Sequence, residues 1–196
     1  MSESELTVRH FDLARSWLMR DGSVLLYGMP AAVHDTAAHD LVDGVTDRRV
    51  LSSHAGHTDP DRPLYALTGL FASVHEAEAA ALPPAHRRTL AEWVFHPVPS
   101  VRHVPSVSVL GPAVLSLLRA LGAETPLLLV IEAVHRLDRE TRGVLRFVAE
   151  RADDLPLHVV AVEEVPGLSA PLGHSLCPPP LVVIRIPPSS EPPSPF

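Results

Sequence analysis

Hydrophobic positions along the chain fall into two alternating patterns. The first is a set of short, nearly uninterrupted apolar runs: Ser23–Tyr27 (SVLLY), Arg49–Ser53 (RVLSS), Leu127–Ile131 (LLLVI), Leu157–Val162 (LHVVAV) and Leu181–Ile186 (LVVIRI). Runs of this length are too short for helices and suit strands buried on both faces, as in the middle of a parallel sheet. The second pattern is apolar residues at helical spacing. It predicts helices over 4–20, 31–45, 65–74, 86–95, 112–121 and 139–151, with 76–81 extending the third. Breaks fall between them at Asp21-Gly22, Gly28-Met29-Pro30, His54–Pro63 and Leu82-Pro83-Pro84. His96–Val109 and Pro166–Pro180 read as Pro-rich loops.

Strands alternating with helices predict an α/β fold: three αβα layers around a parallel sheet of about five strands. Right-handed crossovers then bring all the strand C-termini to one edge of the sheet, where open α/β sheets bind ligands. The expected organisation is a single domain over 1–188, followed by a Pro- and Ser-rich tail at 189–196 that reads as disordered.

Composition narrows the function. The net charge is −7, which argues against a nucleic-acid-binding face. All 16 basic residues counted as Lys or Arg are Arg, so the chain has no lysine to place on a phosphate. The single cysteine, Cys177, forms no intrachain disulfide; with no signal-like N-terminus and no apolar run of about 18 residues, a cytoplasmic protein without a membrane span is expected.

The first strand leads into Gly28-Met29-Pro30-Ala31-Ala32-Val33-His34-Asp35. Against the phosphate-loop pattern G-x-x-x-x-G-K-[ST], only Gly28 is kept, as a remnant cofactor-binding position. Val33 replaces the second glycine, His34 the lysine and Asp35 the hydroxyl residue. Val33 resists the positive φ that glycine allows. Asp35 sets a negative charge where phosphates would lie. At the end of the third strand, Glu132 is placed to act as a general base or to persist as a solvated remnant.

These stretches, followed by ALPPAHRRTL, PLLLVIEAVHRLDRETRGVLRFVAERADDLPLHVVAVEE and CPPPLVVIRIPP, resemble the ATPase domain of the large ATP-binding LuxR-type regulators of actinobacteria. Those regulators belong to the AAA/STAND group of P-loop NTPases. The resemblance covers about 20–188 and is most specific at Ile131–Phe147. It implies a P-loop NTPase-like core without the family's helical lid. It also implies that Glu132 stands at the magnesium-binding acidic position, Ala133 at the acidic position after it, Arg136 at an aromatic one and Asp138 at a further acidic one. Glu163 and Glu164 fall near the sensor position and read as solvated charges beyond the strand. With phosphate loop, acidic pair and sensor all altered, the resemblance implies a pseudo-ATPase.

Three readings stay open. One is an ATP-independent regulatory or scaffold domain that works through a protein partner or self-association. Another is a small-molecule enzyme of specialised metabolism, using His34, Asp35 and Glu132 for acid–base work. The third is a residual nucleotide binder. No cofactor, metal, nucleic acid or membrane is expected. His54, His57, Asp59 and Asp61 lack the spacing of a metal site, His135 is not held to Glu132 by the strand-to-loop geometry, and Cys177 has no basic activator nearby.

Overall fold

The run Leu127–Ile131 forms the strand β3 expected of it, and every one of its five residues is buried. In the computed structural model, which describes residues 3–28, 37–53, 62–96, 104–166 and 169–186, alternate residues of β3 serve opposite cores. Leu127, Leu129 and Ile131 enter the larger core, and Leu128 and Val130 the smaller. An unbroken apolar run is what a strand needs when both its faces are covered.

Four further strands lie parallel to it: β1 (Ser23–Gly28), β2 (Arg49–Ser53), β4 (Leu157–Glu164) and β5 (Leu181–Ile186). Their order in the sheet is β2-β3-β4-β1-β5. The register pairs Leu129 with both Leu51 and Val159, Val24 with Val160, and Gly28 with Glu164 and Ile186. The last strand in the chain but one, β4, is therefore inserted between β1 and β3.

Helices α1 (Glu3–Leu18) and α2 (Ala37–Val42) cover one face, burying Ala14, Leu18, Ala38 and Leu41 against Val24, Leu26, Val160 and Ile184. The other face carries α3 (Tyr65–Leu70), α4 (Pro84–Leu90), α5 (Val107–Gly122) and α6 (Arg139–Ala149). Three layers result, as the alternation predicts. Among the described residues no helix is long and apolar enough to cross a membrane.

Several boundaries differ from the sequence reading: α1 ends at Leu18, the helix expected over 65–74 ends at Leu70 with a separate 3-10 turn at Glu76–Ala79, β4 runs on to Glu164, and two helices start early. The helix expected at 112–121 begins at Val107, so part of the expected irregular stretch is helical and Pro112 lies inside α5. Proline suits a first helical turn, which favours Pro112 as the start. The extra turn is held by packing instead: Leu110 is fully buried, Gly111 lies against the Phe147 ring, and Val107 lies against Gly143 of α6. The helix expected over 86–95 opens at Pro84 and changes at Ala91 into a π-helical turn ending at Phe95. Of the helix expected over 31–45, Ala37–Val42 is helical, 43–44 is a turn, and 31–36 lie outside the described residues.

Candidate functional site

The C-terminal ends of β1, β4 and β3 stand side by side. Strands are spaced about 4.8 Å apart, so the tips of β1 and β3 are separated by about 9.6 Å, with β4 filling the interval. Gly28, buried at the end of β1, accepts a 2.8 Å hydrogen bond at its carbonyl from the Val165 N–H. The residues that follow it, His34 and Asp35 among them, lie outside the described residues, as do His54, His57, Asp59 and Asp61.

Glu132 follows β3 directly. Its N–H donates to the Ser53 carbonyl at 3.3 Å, which ties it to the end of β2, and its side chain is half-buried. The backbone then turns sharply. Ala133 adopts φ 57°, ψ 53°, a left-handed conformation that costs a residue with a Cβ about 1 kcal/mol. A 3-10 turn over Val134–Arg136 follows, anchored by the fully buried Val134. This turn carries His135 onto the tip of β4.

There the Glu164 N–H donates to His135 Nδ1 at 3.2 Å, and His135 Nε2 lies 3.4 Å from Glu164 Oε2. A ring nitrogen that accepts an N–H carries no proton, so the imidazole proton sits on Nε2, facing the carboxylate. Burial holds the His135 pKa below its ordinary value, outweighing the upward pull of Glu164; Arg136 adds to the lowering. The pair at neutral pH is thus a neutral imidazole that accepts the Glu164 N–H and lies 3.4 Å from the Glu164 carboxylate. Sequence reasoning left His135 without a fixed partner; the tertiary fold supplies one.

Glu163 corrects the sequence reading. It is a strand residue, not a solvated charge beyond the strand, and only 2% of it is exposed. Alternation along β4 puts it on the same face as Val159 and Ala161, inside the larger core. A buried carboxylate needs partners, and the segment before β5 provides them. The Leu172 N–H donates to Oε1 at 2.9 Å and the Gly173 N–H to Oε2 at 2.7 Å. A Cβ on Gly173 would stand 2.7 Å from Leu25 Cδ1, so a glycine here lets the backbone come close enough to cap the carboxylate. The period-two count from Leu157 through Glu163 was the one sequence signal of this burial.

Asp138, the acidic position implied by the resemblance, is buried at the N-cap of α6. Its carboxylate accepts from the Thr141 N–H at 2.8 Å and from Thr141 Oγ1 at 2.6 Å. This is capping geometry. Cys177 is buried, and burial foremost, with Glu163 adding to it, pushes its thiol up to about 12. A thiol so rarely ionised is no nucleophile. Among the described residues no group of three His, Cys, Asp or Glu converges to hold a metal.

The described edge thus presents three carboxylates: Glu132, Glu163 and Glu164. Glu163 is committed to backbone donors and Glu164 to His135. Such an arrangement stabilises the strand tips and disfavours an additional polyanion beside them.

No protein-family model matches the chain, and no curated protein does. Among solved structures it is similar to Cdc6p from Pyrobaculum aerophilum, with a TM-score of 0.52 and 17% identity over 93% of this chain and 44% of that one. A RuvB structure from Thermotoga maritima aligns with a TM-score of 0.38 and 16% identity over 94% of this chain and 43% of that one. The chain spans less than half the length of either. Sheet order, layers and the likeness to Cdc6p make this a P-loop NTPase-like αβα fold.

Proposed function

We propose that this P-loop NTPase-like domain is an ATP-independent regulatory or scaffold unit, derived from a LuxR-type regulator ATPase and acting through protein contacts. The observation that carries the reading is the tip of β4. Where the phosphate-facing edge of such a fold would need neutral or cationic groups, Glu163 and Glu164 hold carboxylates already engaged by the protein's own N–H groups and by His135. The lysine-free composition supports it from a second side, since no ammonium is present to offset a triphosphate. Of the two edge strands, β2 and β5, β5 exposes Val183 to 41% among the described residues and offers an edge to a protein partner or a second copy. The domain in this reading spans 1–188.

The enzyme reading rests on His34, Asp35 and Glu132 converging. His135, for its part, is engaged with Glu164. A titration of ATP with magnesium, followed by thermal unfolding and phosphate release, separates the readings. A ligand at a hundred times its Kd stabilises by about 2.7 kcal/mol, a rise of roughly 5–10 °C in Tm for a chain of this size. The expected result is no shift and no phosphate release. A saturable shift abolished by Glu132→Gln would instead establish a nucleotide site.

A further inference from the structure

Beyond the segment that caps Glu163, a cleft of about 510 Å³ opens between the N-terminal ends of α5 and α6 and the 3-10 turn Gly173–Leu176. Its volume lies within the range of small-molecule sites. The first turn of α5 meets α6 closely at Gly143. That glycine brings the helix backbone against Val107, where a Cβ would stand 2.7 Å from Cγ2. Beyond that contact the chain of 104–106 diverges from α6 and leaves a gap.

One wall of the gap is strongly basic. Arg139, Arg142 and Arg146 recur at i, i+3 and i+7 of α6, and all three line the cleft, against Glu140 as the one acidic residue among the described lining. In a chain of net charge −7 this is a local reversal of sign. Arg146 is tied through Nε to Glu150 at 2.8 Å. Arg142 donates through Nη2 to the Leu137 carbonyl at 2.9 Å, while its Nε is buried without a hydrogen-bond partner. The bond to Leu137 fixes the plane of the guanidinium, and a planar guanidinium so fixed is suited to a carboxylate or phosphate. The opposite wall adds the hydroxyls of Ser106 and Ser175 and the apolar surfaces of Val104, Pro105 and Leu172, the last 46% exposed. Ser106 does not cap its own helix; its Oγ pairs with Ser108 Oγ at 2.7 Å.

We propose that this cleft binds a small organic oxyanion carried on an apolar body, with Arg142 as its anchor and Arg139 and Arg146 as the surrounding field. The apolar body lies on Val104, Pro105 and Leu172. The cleft shares Leu172 with the segment that caps Glu163, but its basic wall is on α6 and not on the strands, so the proposal does not depend on the regulatory reading.

The test uses the full chain, with hexyl phosphate and hexanoate as probes and hexanol as the uncharged control. Amide shifts of Gly143 and Ser175 are followed by NMR, and Kd by calorimetry. Saturable binding of either anion at millimolar concentration, with shifts at those two amides and none from hexanol, is expected. The stronger of the two anions identifies phosphate or carboxylate as the natural head group. Arg142→Gln should weaken binding by roughly tenfold or more, while Arg136→Gln leaves it unchanged. Should Arg142→Gln fail to fold, the double variant Arg139→Gln/Arg146→Gln, both on exposed side chains, is expected to weaken it instead. Absence of binding by both anions, equal binding by hexanol, or wild-type affinity in the variant that folds overturns the assignment.

Discussion

Replacing Glu163 by alanine should loosen the segment between β4 and β5 and unmask Cys177. The carboxylate holds that segment through two N–H groups, Leu172 at 2.9 Å and Gly173 at 2.7 Å. Hydrogen bonds to a charged group contribute about 1.5–3 kcal/mol each, so together they set an upper limit of about 6 kcal/mol. Leu172 is partly exposed, and water can replace its share once the side chain is gone. The expected net loss is therefore about 3 kcal/mol. Cys177 reports it directly. Its thiol is 7% exposed with a pKa pushed up to about 12, so alkylation requires the segment to open. A loss of 3 kcal/mol raises the open population about a hundredfold and the labelling rate with it. Removing the charge also lowers the thiol pKa, in the same direction. Glu163→Gln isolates that part, because it removes the charge but keeps one acceptor for the loop. Alanine should accelerate labelling well beyond glutamine, and urea unfolding should show the matching loss of stability. Labelling of the alanine variant at the wild-type rate, at an unchanged urea midpoint, would refute the claim that Glu163 anchors the segment.

Other consequences can be read from single substitutions. Asp138→Ala removes the cap of α6 and leaves Thr141 Oγ1 buried without its partner, for an expected cost of about 2–3 kcal/mol by urea unfolding; Asp138→Asn should recover part of it. Glu78 is held at a pKa of about 2, chiefly by its bidentate hydrogen bonds to Arg49, with the His75 N–H assisting. Its folded pKa is depressed, so its stabilisation is complete above 4.5 and is lost as pH falls toward 2; Glu78→Gln should flatten the acid limb of a stability–pH curve in that window. His135, kept neutral by burial, works in the same direction near neutrality. The unfolded chain binds its proton more readily, so stability declines as pH falls below the ordinary histidine value of 6.5. His135→Gln should reduce that slope without abolishing it, because the buried His158 is shifted the same way; an unchanged slope would exclude the burial of His135 as a source of pH dependence.

The strands were legible because each is a local fact. A run such as LLLVI or LVVIRI has one stable fate in a covered parallel sheet, and β2, β3 and β5 occupy the ranges their runs predict. The layers followed from the alternation of runs with helical spacing. The start of α5 was not legible: nothing within Val107–Gly111 states that Gly143 and Phe147, more than thirty residues on, will pack against it. The same holds at the candidate site. Glu132 was correctly placed at a strand end, and Asp138 was recognised as special, but its work as a cap of α6 depends on Thr141 closing over it.

Sequence alone determined the fold class, the number and extent of most strands, the acid after β3 and the lack of any lysine. Strand order was decided only in three dimensions, and with it the meaning of the acidic residues. By inserting β4 between β1 and β3, the fold put Glu163 and Glu164 at the centre of the edge, brought the 172–173 backbone onto one and His135 onto the other. It also aligned three arginines across a gap from the start of α5. The physical reason is the range over which each signal acts. Periodicity reports how one element meets its own surroundings. Which charges face one another is set by contacts between elements distant in the chain, and only packing chooses those.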